Sequence, residues 1–88
     1  MFNNVVVGKP VVDPKIIFST SDEDWKDELK NTLFTDTRFL PAIMKEAGVV
    51  SSISEVRRNR PELVVSMDKL DFVCIKWGKK FLHILVGE

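Results

Sequence analysis

The chain predicts an α+β domain: three short helices packed on a small, mainly antiparallel sheet that closes with a hairpin over residues 71–86. Three observations carry that expectation. Apolar residues recur at helical spacing in the middle of the chain, and they alternate with period two near its end. Gly78 and Lys79 interrupt the alternation where a two-residue type II′ turn wants glycine first. The 88 residues give room for one domain with one modest two-layer core.

At the N-terminal end, Val5–Val7, Val11–Val12 and Ile16–Phe18 are β-branched or aromatic runs separated by Gly8, Pro10 and Pro14. Such runs suit extended chain, and the prolines confine them to edges. Residues 1–20 therefore read as an extended arm able to add one edge strand, and residues 21–88 as the folded domain. Ser21 opens a first helix, with Asp22, Glu23 and Asp24 in its first turn, where carboxylates meet unpaired N–H groups. Trp25, Leu29 and Leu33 form its apolar stripe, and the helix is expected to fade near Thr35 and Asp36.

A second helix is expected over 40–48. Pro41 suits the first helical position and Gly48 the left-handed residue beyond the end. The third spans 52–59. Ser52 and Glu55 have capping-box spacing, Ile53 and Val56 share the buried side, and Pro61 stops the helix near Asn59 so that Arg60 swings outward. Leu63–Met67 reads as a short β run. In the hairpin, Trp77 pairs with Lys80, Ile75 with Leu82 and Val73 with Ile84 on the core face. Phe72, Cys74, Lys76, Phe81, His83 and Leu85 occupy the other face, which is too apolar to lie bare; the arm, the first helix or another subunit would cover it. The expected core is Trp25, Leu29, Leu33, Ile43, Ile53, Val56, Val73, Ile75, Leu82 and Ile84.

Composition removes several classes of function. Thirteen basic and thirteen acidic residues cancel, so the whole molecule is not an electrostatic sponge for nucleic acid, and anion binding has to come from local clustering. One cysteine rules out an internal disulfide. No apolar run approaches the roughly 18 residues of a membrane span, and the first residues lack a signal-peptide pattern, so a cytoplasmic location without membrane contact is expected. His83 and Cys74 are the lone histidine and thiol. They are cross-strand neighbours in mid-strand, where a packed thiol and a hydrogen-bonded imidazole are expected rather than a nucleophile and its base. There is no glycine-rich phosphate loop and no zinc-ligand set. The expectation is a non-enzyme without cofactor or metal.

Two basic clusters remain: Arg57, Arg58 and Arg60 at a helix end, and Lys76, Lys79 and Lys80 around the hairpin turn. From Gly48 onward seven basic residues face five acidic ones, so charge is polarised although the sum is nil. Two readings fit the arginines. They neutralise the negative end of the helix dipole, or they dock on the phosphates of a polyanion, with Trp77 beside the turn to stack a base.

The run EAGVVSSISEVRR, residues 46–58, resembles the alpha-L RNA-binding motif of the ribosomal protein S-four type. There a helix-ending glycine, a serine four residues later and a Glu-Ala-Arg-Arg helix correspond to Gly48, Ser52, Glu55, Val56, Arg57 and Arg58. DFVCIKWGKKFLHIL is similar to the closing hairpin of that module at the C-terminus of bacterial tyrosyl-tRNA synthetases. The resemblance covers roughly residues 40–86. It implies an RNA face built from Ser52, Ser54, Arg57, Arg58, Arg60, Lys76, Trp77, Lys79 and Lys80, gripping structured RNA of the tRNA or rRNA class. The sequence departs from the family pattern at Val56, at PELVVSM after the third helix, and at Trp77 and Phe81. Alternative readings are a helix-turn-helix with a wing on duplex DNA, and a phage or accessory module that docks a protein partner or a second copy through the apolar hairpin face.

Overall fold

The computed structural model describes residues 1–88. The chain runs β1 (Asn4–Val7), α1 (Pro14–Phe18), α2 (Asp22–Lys30), β2 (Thr32–Thr35), α3 (Leu40–Glu46), α4 (Ile53–Asn59), a 3-10 turn (Pro61–Leu63), β3 (Asp71–Trp77) and β4 (Lys80–Val86). The strands form one mixed sheet in the order β2-β1-β4-β3. β1 runs parallel to both β2 and β4, and β3–β4 is the antiparallel hairpin. Its register is the predicted one, with Trp77 opposite Lys80 and Cys74 opposite His83. Gly78 takes φ +62° in the turn, as a type II′ geometry requires.

The sheet is sandwiched. Val5 and Val7 of β1 and Leu82, Ile84 and Val86 of β4 pack with Leu40, Ile43, Met44, Ala47, Val49, Val50 and Val56 in one continuous core. This inner face is roofed by α3 and α4. α3 ends in a Schellman motif: Val49 N–H donates to Met44 O at 3.0 Å and Gly48 N–H to Lys45 O at 3.1 Å, with Gly48 at φ +81°. α1 and α2 lie on the outer face. Asn4, 4% exposed, donates from Nδ2 to Glu28 Oε2 at 2.8 Å, Thr32 Oγ1 donates to Glu28 O at 2.7 Å, and the Phe18 ring packs edge-on to Phe72.

The α+β class and the hairpin are as the sequence predicts, and the first 35 residues differ most. Val5–Val7 is a central strand, fully buried, rather than part of an arm. An unbroken β-branched run fits a parallel strand covered on both faces, and Pro10 and Pro14 fall beyond it. Residues 14–18 form a helix instead of a strand run: Asp13 is its N-cap, accepting from Lys15 N–H, and Pro14 takes the first helical position. The first long helix stops at Lys30, and Thr32–Thr35, rich in β-branched and aromatic residues, is a strand. Leu33 therefore reaches the inner core from a strand, and Leu29 is largely exposed. Leu63–Met67 makes no strand; one isolated bridge, Phe39 to Ser66, ties it to the start of α3. Ile53 is only half-buried, and Cys74 is exposed rather than packed, because β3 is the sheet edge.

Candidate nucleic-acid interface

α4 positions the arginines. Ser52 is its N-cap and accepts from Glu55 N–H at 3.2 Å. The Glu55 carboxylate reaches one residue further back than a capping box would take it, accepting from Ser51 N–H at 3.0 Å. Asn59 closes the last turn, donating from Nδ2 to Glu55 O. Arg57 and Arg58 project from the exposed side and make no ion pair or side-chain hydrogen bond. Ser54 is exposed beside them.

Arg60 departs from the group. Its Nε donates to Glu62 Oε1 at 2.8 Å and its Nη1 to Lys76 O at 2.6 Å. The guanidinium thus staples the end of α4 to β3, and its hydrogen bond holds the Glu62 carboxyl below the usual carboxylate range. Because Pro61 keeps Arg60 out of the helix (φ −144°), the side chain is free to turn toward the sheet edge.

The lysines divide around the turn. Lys80 lies on the inner side with α4, and its Nζ reaches Val49 O at 3.4 Å, next to the loop that enters α4. Lys79 is exposed at the tip. Lys76 sits on the outer face, with Nζ 5.8 Å from the Phe81 ring centroid. No carboxylate pairs with Lys76, Lys79 or Lys80. The turn therefore puts Lys80 on the inner side beside the loop that enters α4, Lys79 at the apex and Lys76 on the outer face, while Arg57 and Arg58 stand exposed on the last turn of α4. Trp77 is half-buried against the inner core, so its ring serves packing first.

One feature of this end is invisible in local sequence. A cleft of about 500 Å³ beside the turn is lined by Met1, Asn3, Asn4, Glu28, Lys79, Lys80, Phe81 and His83. Asn4 and His83 are brought opposite each other by the parallel β1–β4 pairing, a contact between residues nearly the whole chain apart. No spacing rule reports such a pair. No three His, Cys, Asp or Glu side chains converge as a metal-binding group, and no helix is long and apolar enough to cross a membrane. No protein-family model, curated protein or solved structure matches the chain.

Proposed function

We propose that the protein is a non-catalytic, cytoplasmic RNA-binding module of the alpha-L type, gripping structured RNA through the end of α4 and the β3–β4 turn. The observation that carries the reading is the exposure of Arg57 and Arg58 on the last turn of α4 and of Lys76, Lys79 and Lys80 around the hairpin turn, none of them within ion-pair distance of a carboxylate. Exposed arginine forks and lysine ammonium groups both suit phosphates. The helix–Gly48–Ser52–helix unit presents the arginines on a rigid, capped element. Phe81, half-exposed beside the cleft, offers a ring on which an unstacked base can lie.

The test is a double substitution, Arg57→Gln with Arg58→Gln, measured for both binding and folding. Each lost phosphate contact flattens the log–log salt dependence by about 0.7–0.9, and the pair lowers affinity for a structured RNA on the order of tenfold or more near physiological salt. Stability stays almost unchanged. Were the arginines only dipole caps, the same pair would cost roughly 0.3–1 kcal/mol per charge in folding and nothing in binding. Tighter binding to duplex DNA than to folded RNA under the same salt would replace this reading by the winged helix-turn-helix.

A further inference from the structure

The sheet ends at β3, and the register identifies which backbone groups of that edge point outward. His83 N–H donates to Asn3 O at 2.9 Å and Gly87 N–H to Val7 O at 2.8 Å, so the odd residues of β4 turn toward β1. The even residues bond β3, in the pairs Trp77–Lys80, Ile75–Leu82, Val73–Ile84 and Asp71–Val86. Phe72, Cys74 and Lys76 accordingly aim their N–H and C=O groups away from the sheet. Two of these groups are satisfied within the chain: Phe72 N–H donates to Asp71 Oδ1 at 2.8 Å, and Lys76 O accepts from Arg60 Nη1 at 2.6 Å. Phe72 O, Cys74 N–H, Cys74 O and Lys76 N–H are without a protein partner.

We propose that this edge pairs with the same edge of a second copy, antiparallel, about a two-fold axis beside Cys74. In that register the two Cys74 residues exchange both their backbone hydrogen bonds, and Lys76 N–H of each copy donates to Phe72 O of the other. All four unpartnered groups are used; shifting the register by two residues either way leaves one of them idle. The match is therefore self-complementary, as an isologous contact has to be.

In the same register Phe72 N–H of one copy lies opposite Lys76 O of the other, the two groups that the chain already holds with the Asp71 carboxylate and the Arg60 guanidinium. Phe72, Cys74 and Lys76 share the outer face, which sets each Lys76 ammonium across from a Phe72 ring. Phe72, 48% exposed, and Phe81, 50% exposed, lie on that face and lose water as the sheet becomes continuous. The occupant this edge fits is another β3.

Sedimentation velocity under reducing conditions, from about 10 µM to 1 mM protein, covers the range in which a small, weak interface populates both states. Wild type and Cys74→Ser are expected to shift from monomer to dimer across that range. Cys74→Lys sets two ammonium groups against each other at the axis and is expected to remain monomeric. Cys74→Pro removes an N–H that the β3–β4 ladder does not use, and is expected to remain monomeric with an unchanged circular dichroism spectrum. If the proline variant does not fold, the lysine variant carries the test alone. Arg57→Gln with Arg58→Gln is expected to dimerise like wild type, which separates this contact from RNA binding. Wild type that stays monomeric at the highest concentration overturns the proposal, and so does a Cys74→Lys protein that dimerises as wild type does.

Discussion

The two faces of the sheet are built from the same strands and end up in different states. On the inner face, α3 and α4 seal Val5, Val7, Leu82, Ile84 and Val86 into a continuous core. On the outer face, α1 and α2 cover Val6 and Leu85 but leave Phe34, Phe72 and Phe81 about half-exposed. The difference follows from the helices. α3 and α4 together bring Leu40, Ile43, Met44, Ala47 and Val56 to the sheet, whereas α2 carries seven charged residues among its nine and the Phe18 of α1 meets only one end of the face. Stability is concentrated on one side, and the other keeps apolar surface at the sheet's free edge.

That contrast can be broken first where it is strongest. Ile84→Ala or Ile43→Ala is expected to cost about 2–5 kcal/mol in urea unfolding, because the sealed inner face cannot collapse around the cavity. Phe81→Ala on the outer face is expected to cost about 1 kcal/mol or less, since half of its ring is already hydrated. Equal losses at the two positions would mean that the faces are not distinct.

The parallel β1–β4 contact that both faces share depends on backbone approach. Gly87 lies so close to the chain at Lys9 and Pro10 that a Cβ would meet the Lys9 carbonyl oxygen at 2.1 Å. Lys9 and Glu88 exchange N–H···O bonds there at 2.8 and 2.7 Å. Gly87→Ala is expected to destabilise by about 1–3 kcal/mol, as overpacking does, and to speed amide exchange at Val7 and Glu88.

A smaller effect separates the helix layers. Ser52→Ala removes the N-cap of α4 and is expected to cost about 1 kcal/mol in thermal unfolding, within the usual range for caps. The smallest effect concerns the Arg60 staple. Glu62 is ionised more readily in the folded chain, so its contribution to stability is present above the usual carboxylate range and is lost as pH falls through the lowered folded-state value. Arg60→Gln is expected to return the Glu62 carboxyl toward its ordinary titration, followed by carboxyl carbon shifts in an NMR pH series. A Glu62 carboxyl that titrates identically in both proteins would remove the staple from the account.

What the sequence made legible was the local chemistry. Ser52 as a cap, Gly48 beyond α3, Pro61 beyond α4 and Gly78 in the turn each announce a backbone geometry through one residue type, and each is found there. The Ile75–Leu82 and Val73–Ile84 pairs follow from the turn, because a two-residue loop sets the register of everything beyond it. The parallel pairings were not legible. Val5–Val7 carries no mark of its partners, since a run buried on both faces has no period to read, and β2 and β4 lie far along the chain. Leu33 continues the four-residue spacing of Trp25 and Leu29 and so reads as helical, although Thr32–Thr35 is richer in strand formers. For the candidate site, the cations were visible as clusters. Their division by the hairpin turn, and the diversion of Arg60 to Lys76 O, depend on the β3 edge meeting the end of α4.

The central claim is that the end bearing Arg57, Arg58 and the turn lysines is the surface that meets RNA. Titrating isotope-labelled protein with a folded RNA hairpin, and following amide and side-chain shifts at low and moderate salt, tests it most directly. The largest changes are expected at Ser54, Arg57, Arg58, Lys79 and Lys80, with smaller ones at Lys76 and Phe81, all fading as salt rises. α1 and α2 should stay unperturbed. Changes centred on α2 or on Phe34, or no changes at any salt, would contradict it.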